Sequence, residues 1–168
     1  MDLVVMRHGH AEAIARCDEE RRLTSRGREN AANVARALRL LGLRPQAIVA
    51  SPLVRAQQTA SIVARELAHE LDAELAVQTE PLLAPESRVE HTVEALATDA
   101  TCLVIVSHMP LVSALLGRML CSSSTATLPL STSCAVWLEL SRPASLDGRL
   151  RAALSPQVAA QLSGGHDR

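Results

Sequence analysis

Short runs of apolar residues alternate with longer segments of helical periodicity, and this alternation constrains the fold more than any other feature of the sequence. The two most apolar runs are LVVM at 3–6 and LVIV at 103–106. Strands that are apolar on both faces are typical of a parallel sheet covered by helices on each side. The sequence therefore predicts an α/β fold, a three-layer sandwich whose largely parallel central sheet is flanked by helices.

The individual segments can be placed from apolar runs, periodicity and turn residues. Six strands are predicted, the last two forming a hairpin around Asp147-Gly148: residues 2–7, 46–50, 74–78, 101–107, 132–140 and 148–154. Helices are predicted over residues 24–41, 51–69, 86–98 and 110–120. Ser51 is the expected N-cap of the second helix and Pro52 its first residue. The serine- and threonine-rich stretch 121–127 is predicted to be a loop.

The length and composition predict one globular domain. The chain has 168 residues, of which 48% are hydrophobic and 21% charged, as in proteins that bury a sizeable core. We expect a single domain over residues 1–155, followed by a frayed C-terminal tail over residues 156–168.

Several partners are not expected from the composition. The net charge is −1, Tyr and Phe are absent, and Trp137 is the one aromatic residue, so no nucleic-acid partner is predicted. No apolar run approaches the ~20 residues of a membrane span, and no export signal is evident. The four cysteines are scattered without a C-x-x-C pair, which favours reduced thiols. We therefore expect a cytoplasmic protein without membrane contact.

All 17 basic residues are arginine, and lysine is absent. A lysine Schiff base and a P-loop lysine are therefore excluded. Because arginine is common in this chain, the presence of an arginine alone does not indicate function. Its position relative to the predicted strands and helices is the informative feature.

Polar residues follow three of the predicted strands directly. Arg7-His8 ends the first, Ser51-Pro52 follows the second, and Ser107-His108 ends the 101–107 strand. The carboxyl ends of parallel strands lie on one edge of the sheet, where such folds place their sites. Arg55 falls in the first turn of the helix after Ser51. Guanidinium groups and helix N-termini both bind anions, so a pocket for a phosphate dianion is predicted there.

The same residues suggest a reaction. A neutral imidazole in this pocket can attack phosphorus, because neighbouring cations lower the pKa of a histidine and keep its lone pair free. The second histidine and the arginines can stabilise the charge that develops on the phosphoryl oxygens. The residues therefore predict covalent catalysis through a phosphohistidine, with no metal and no other cofactor required.

Four sequence blocks carry a resemblance to a known family: MRHG at 6–9, LTSRG at 23–27, SPLVRAQQTA at 51–60 and VSHMPLV at 106–112. Together they are similar to the histidine phosphatase (phosphoglycerate mutase-like) superfamily, and most similar to its SixA-type protein-phosphohistidine phosphatases. The resemblance implies a phosphoglycerate mutase-like fold. It also implies that His8 is the nucleophile, that Arg7 and Arg55 bind phosphate, that His108 stabilises charge, and that Arg22 helps at the rim of the pocket.

The sequence departs from this family in two places. His10 stands where these proteins commonly have an acidic or polar residue, and it has no assigned role. Leu82 stands where a glutamate general acid would be expected, with Glu80 and Glu86 as possible substitutes. A weak acid impairs the release of an alkoxide most, whereas an imidazole with a pKa near ~6.5 leaves more readily. The departure therefore favours phosphohistidine on a partner protein as substrate.

The short connection between the third strand and the 101–107 strand also favours a protein substrate. It leaves little room for a lid, and an open site would admit a phosphorylated side chain of another protein. A small-molecule phosphomonoester phosphatase and a non-catalytic phosphate- or phosphoprotein-binding domain remain alternatives. A metal-dependent hydrolase is a further rival, since His8-x-His10 resembles a metal-binding pair on a strand. The oligomeric state is not evident, and a monomer is favoured.

Residues outside the predicted pocket have simpler expected roles. Ser51 and Pro52 are expected to do only capping work. Asp18, Glu19 and Glu20 are expected to form a solvated loop. Gly9 is expected to allow a tight turn beside His8.

Overall fold

The computed structural model describes residues 1–69, 74–121 and 127–164. It contains six strands: β1 (Asp2–Arg7), β2 (Ala47–Ala50), β3 (Val77–Thr79), β4 (Cys102–Ser107), β5 (Ala135–Glu139) and β6 (Arg149–Leu154). It contains five α-helices: α1 (Ser25–Leu40), α2 (Val54–Ala68), α3 (Val89–Ala95), α4 (Leu111–Cys121) and α5 (Pro156–Gly164).

The six strands form one mixed sheet in the order β3-β2-β4-β1-β5-β6. β1 pairs in parallel with β4, β4 with β2, and β2 with β3, whereas β5 runs antiparallel to both of its neighbours. The predicted α/β fold with a mostly parallel sheet is confirmed. β5 and β6 also form the predicted antiparallel hairpin.

Each face of the sheet packs against its own layer of helices. On β1, Val4 and Met6 face the cluster that contains the apolar residues of α1 and α2, together with Ala159 of α5. Leu3 and Val5 face the cluster that contains the apolar residues of α3 and α4. All four β1 side chains are fully buried, which explains why the strand shows no alternation of polar and apolar residues. No helix in the described part of the chain combines the length and the apolar character needed to cross a membrane.

The C-terminal segment differs from the sequence-based expectation. Residues 156–164 form helix α5 rather than a frayed tail, and α5 packs on α1 with Pro156 and Ala159 buried. The Ser155 hydroxyl accepts a hydrogen bond from the Val158 amide at 3.3 Å. A serine cap followed by proline is typical of a helix start, so Ser155-Pro156 indicates this helix in the sequence itself.

Other element boundaries shift by a few residues. The third strand is three residues long and begins at Val77, and α3 is shorter than the predicted 86–98. α2 begins at Val54 with Leu53 as its N-cap, so the prediction that Ser51 caps this helix is wrong. Most of the loop predicted at 121–127 lies outside the described residues.

The loop after β1 packs closely against the first turn of α1. Thr24 caps α1 by accepting a hydrogen bond from the Gly27 amide at 3.1 Å, and its own amide donates to the His10 carbonyl at 3.0 Å. A Cβ atom on Gly27 would lie 2.0 Å from the His10 carbonyl oxygen, and one on Gly9 would lie 2.8 Å from the Gly27 carbonyl oxygen. Both glycines are therefore needed for close approach, and for Gly9 this replaces the expected role in a tight turn.

We predict that Gly27→Ala destabilises the fold by about 1–3 kcal/mol, because the added methyl group would overlap backbone that cannot move without breaking the Thr24 cap. Gly164→Ala is the matched control, since nothing lies within 4 Å of a Cβ atom at that position. Denaturant unfolding of both variants measures the difference. Equal free energies of unfolding in the two variants would contradict the prediction.

Candidate active site

The three polar segments predicted to share one edge of the sheet do meet there. In the parallel register of β1 and β4, Arg7 lies opposite Ser107, and the His8 amide donates a hydrogen bond to the Ser107 carbonyl at 2.9 Å. On the other side of β4, the Ser51 amide donates to the Val106 carbonyl at 3.0 Å. The backbone pairing therefore brings the ends of β1, β4 and β2 together at the site.

His8 is held by the backbone beside it. Its Nδ1 lies 2.7 Å from the Gly9 carbonyl oxygen. Because a carbonyl oxygen only accepts hydrogen bonds, Nδ1 must carry the proton and Nε2 is left with the lone pair in the neutral ring. The Gly9 amide in turn donates to the Thr59 hydroxyl at 3.0 Å, which donates to the Arg55 carbonyl at 2.7 Å. The first turns of α2 thus fix the backbone that orients His8.

His108 lies beside His8, with 4.9 Å between the ring centroids and 49° between the ring planes. The ring is buried, and its Nε2 lies 2.8 Å from the Ser51 hydroxyl. Its Nδ1 is buried and has no hydrogen-bond partner among the described residues. Ser51 therefore has a different role from the expected capping, because its side chain bonds to the second histidine of the site.

Both histidines are neutral at pH 7. The pKa of His8 is lowered from 6.5 to about 4, mainly by burial, with smaller contributions from the charges of Arg55 and Arg7. The pKa of His108 is lowered to about 3, again mainly by burial and then by His8 and Arg55. Burial disfavours the charged form of an imidazole and nearby cations disfavour it further, so both rings retain a lone pair.

In both Arg7 and Arg55, at least one Nη atom is hydrogen-bonded to described residues of the protein whereas Nε is not. Nη1 of Arg7 donates to the Leu130 carbonyl at 2.6 Å, and the Nη atoms of Arg55 donate to Asp18. In both residues, Nε is buried and has no partner within the described part of the chain. Buried donors are normally satisfied, so these two N–H groups, with Nδ1 of His108, form a set of polar atoms suited to an anion.

Asp18 lies in an exposed loop, as expected, and its carboxylate also pairs with a buried arginine. Its Oδ2 accepts from Nη2 of Arg55 at 2.8 Å, and its backbone carbonyl accepts from Nη1 at 2.6 Å. Arg55 is 5% exposed, and a buried cation requires a counterion. No periodicity or spacing links residue 18 to residue 55, so this contact could be found only from the folded chain.

The structure places the remaining predicted site residues less centrally. Arg22 is exposed. Its neighbour Arg21 pairs with Asp18 at 3.0 Å, in addition to the pair between Asp18 and Arg55. The Glu80 carboxylate accepts from the Leu82 amide at 2.8 Å, where it caps a short 3₁₀ turn, and Glu86 is exposed. The rim role of Arg22 and the general-acid roles of Glu80 and Glu86 stay predictions.

His10 is part of the loop packing rather than of the buried cluster. Its Nδ1 lies 2.9 Å from the Thr24 hydroxyl, and the ring is exposed. The His8-x-His10 pair was the basis of the metal-dependent alternative. In the described ranges, no group of three or more His, Cys, Asp or Glu side chains is arranged to hold a metal ion.

Comparisons with known proteins identify a family that resembles this chain. Residues 3–83 match the model of the Histidine phosphatase superfamily (branch 1), and this range contains three of the four sequence blocks. The family resemblance predicted from those blocks is confirmed. Residues in this chain are also similar to the mitochondrial serine/threonine-protein phosphatase Pgam5 of Drosophila persimilis, with 38% identity over 68 residues. That match covers 40% of the chain and 24% of the relative, so the chain matches about a quarter of the relative's length.

Solved structures share the fold over nearly the whole chain. The protein histidine phosphatase SixA complexed with tungstate has a TM-score of 0.80 and 24% identity, covering 94% of this chain and 98% of that one. A putative SixA from Agrobacterium tumefaciens has a TM-score of 0.74 and 21% identity, covering 92% and 98%. A putative alpha-ribazole-5'-P phosphatase from Escherichia coli has a TM-score of 0.72 and 22% identity, covering 93% and 97%. At these identities the likeness is one of fold.

We predict that the free energy of unfolding falls as the pH is lowered from about 6.5 through 4. The pKa values of His8 and His108 are lower in the folded protein than the ordinary value of 6.5, so the unfolded chain binds more protons in this range. Their contribution is present above pH 6.5 and is lost as the pH falls. Denaturant unfolding as a function of pH measures the slope.

The control separates these two rings from the other titrating groups. Replacing both His8 and His108 by Asn should flatten the slope between pH 6.5 and 4, whereas His91→Gln, at an exposed position, should leave it unchanged. An unchanged slope in the double variant would show that the lowered pKa values do not govern acid stability.

We also predict that Ser51→Ala destabilises the protein by about 1–3 kcal/mol, because Nε2 of His108 would be buried without a partner. Ser61→Ala is the matched control, since the Ser61 hydroxyl is exposed and bonds within its own helix to the Gln57 carbonyl. The midpoint of thermal unfolding compares the two variants. Similar midpoints would mean that the Ser51–His108 hydrogen bond contributes little.

Proposed function

We propose that this protein is a metal-independent phosphatase that forms a phosphohistidine on His8 and dephosphorylates phosphohistidine on a partner protein. The observation that carries the proposal is the cluster of two arginines and two neutral histidines at the sheet edge, in which Arg55 and both histidines are buried. Three of its N–H or ring nitrogen atoms are buried without a partner among the described residues. Such a cluster suits a phosphate dianion, which is rich in acceptor oxygens.

His8 supplies the nucleophile. With its proton on Nδ1, the neutral ring directs the Nε2 lone pair at phosphorus. A bond forms between Nε2 and phosphorus while the bond from phosphorus to the leaving nitrogen breaks, and the electron pair of that bond stays with the leaving ring. A substrate ring that carries a proton on its other nitrogen then leaves as neutral imidazole. Water then attacks the phosphohistidine, releases inorganic phosphate and restores the neutral His8.

The arginines and His108 stabilise the transferring group. Arg7 and Arg55 supply the positive charge that divalent cations supply in many other phosphoryl-transfer enzymes. A bound dianion raises the pKa of a neighbouring imidazole, so His108 can take up a proton as the substrate binds. It then donates a charge-assisted hydrogen bond to a phosphoryl oxygen.

The carboxylates near the site favour a substrate with a good leaving group. Among the described residues, Asp18 is the carboxylate that an ion pair joins to the cluster. The pKa of Asp18 is lowered by its hydrogen bonds with Arg21 and Arg55, so it is ionised at pH 7 and cannot serve as an acid. Glu80 already caps a 3₁₀ turn. An imidazole leaving group needs less protonation than an alkoxide, which supports phosphohistidine as substrate.

The similarity to Pgam5 supports a second candidate. Those relatives are serine/threonine-protein phosphatases, so phosphoserine or phosphothreonine on a protein is the next substrate to test. Its alkoxide leaving group would need a proton donor from a residue such as Glu80 or Glu86. The cytoplasmic location expected from the sequence stays a prediction.

The first experiment compares turnover of three substrates by the wild-type protein: a phosphohistidine protein, a phosphoserine peptide and a small phosphomonoester. We predict the highest kcat/KM for the phosphohistidine protein, and an acid-labile, base-stable phosphoenzyme in rapid-quench samples. His8→Ala should abolish both turnover and the phosphoenzyme, because it removes the atom that forms the bond to phosphorus. His91→Ala is the control, since that histidine is exposed.

Each other outcome points to a different function. Full activity in His8→Ala would exclude the proposed mechanism. A preference for the phosphoserine peptide would favour the second candidate, and a preference for the small ester a small-molecule phosphatase. Activity lost with EDTA and restored by Zn²⁺ would favour a metal-dependent hydrolase. Phosphate binding without turnover would indicate a binding domain.

A further inference from the structure

In the loop between β1 and α1, the segment enclosed by Ala11 and Leu23 contacts Arg55 through Asp18. Asp18 lies in a 3₁₀ turn, and it contacts Arg55 twice, through its carboxylate at 2.8 Å and through its backbone carbonyl at 2.6 Å. The Asp18 side chain is 56% exposed, whereas that of Arg55 is 6% exposed. A residue at the surface therefore holds a buried guanidinium group from outside.

The loop is held in place by its own contacts. Ala11 and Leu23 form a β-bridge at its base, and the Glu12 amide donates to the Arg22 carbonyl at 2.9 Å. Arg21 donates to the second Asp18 oxygen at 3.0 Å and to the Glu12 carbonyl at 2.5 Å. Because both ends of the loop and both carboxylate oxygens are engaged, Asp18 presents a fixed acceptor to Arg55.

The contacts occupy only part of the guanidinium group. Arg55 has five N–H bonds in a rigid plane, and Asp18 accepts from Nη1 and Nη2. Nε is buried without a partner among the described residues. The two Asp18 oxygens that accept from Nη1 and Nη2 restrict rotation of the guanidinium plane. Asp18 therefore sets the direction of the Nε–H bond of Arg55.

We propose that Asp18 is a positioning residue that orients Arg55 so that its Nε–H is directed to the phosphoryl group. The inference rests on the proposed function, because it assumes that an oxyanion binds between the two arginines and the two histidines. It extends that function by making anion affinity depend on a loop residue outside the buried cluster.

A competing role for Asp18 is that of an intramolecular anion. Its carboxylate would then occupy Arg55 in the free protein and would have to leave before phosphate binds. The two roles predict opposite effects of removing the side chain. A positioning residue strengthens the binding of an oxyanion, whereas a competing carboxylate weakens it.

Tungstate binding separates the two roles without depending on turnover. We expect Asp18→Ala to bind tungstate about tenfold more weakly than the wild type, the factor given by loss of one orienting contact of ~1.4 kcal/mol. Asp18→Asn retains an oxygen acceptor and should remain within about threefold of the wild type. Glu20→Gln is the control for charge, because Glu20 lies exposed in the same 3₁₀ turn.

The measurements are titration calorimetry with tungstate and the kinetic parameters for the best substrate of the wild type. We expect Asp18→Ala to raise KM and lower kcat. Its unfolding midpoint should also fall, because Arg55 loses its counterion, so binding and turnover are measured well below that midpoint. Asp18→Ser serves as a second variant, since its side chain is too short to replace the carboxylate, and the same weakening is expected.

Two results would overturn the inference alone. Equal tungstate affinities in Asp18→Ala and Glu20→Gln would show that the contact does not orient Arg55. Tighter binding in Asp18→Ala than in Glu20→Gln would establish the competing role instead. A wild-type protein that binds no tungstate would overturn the proposed function, and the inference with it.

Discussion

The parallel pairing of β1 with β4 is the constraint on which the site depends. It sets Arg7 opposite Ser107, and the residues that follow each strand are His8 and His108, whose rings lie 4.9 Å apart. A shift of one residue in this register would turn every side chain of β1 to the other face of the sheet. The apolar side chains of β1 are buried on both faces, so the fit of each side chain to its own helix layer, rather than a polar–apolar pattern, supports the register that brings the histidines together.

The packing that builds the core also sets the chemistry of the histidines. Burial at the sheet edge is the main cause of the lowered pKa of both rings, and the arginines add to it. At pH 7 the site therefore combines the positive charge of Arg7 and Arg55 with the free lone pairs of two neutral imidazole rings. In water the same side chains would titrate near pH 6.5, and the lone pairs would be partly lost.

Much of the fold and the centre of the site could be predicted from the sequence. The apolar runs at 3–6 and 103–106 indicate buried parallel strands, and the rule that sites lie at their carboxyl ends brings His8 and His108 together. Ser51 was assigned to a helix cap because Ser-Pro is a common helix start, whereas its hydroxyl bonds to His108. The same signal at Ser155-Pro156 does begin a helix. Asp18 could not be found, because its contact with Arg55 joins elements without any shared periodicity.

The charge state of the site and the nature of its proposed substrate depend on one another. An enzyme that releases an alkoxide needs a protonated acid near the leaving oxygen. The carboxylate joined to this cluster, that of Asp18, is kept ionised by Arg21 and Arg55. The contacts that make Asp18 a good partner for Arg55 therefore make it a poor acid. A phosphohistidine avoids this conflict, because its imidazole leaves with little assistance, and Asp18 is then free to act on the orientation of Arg55.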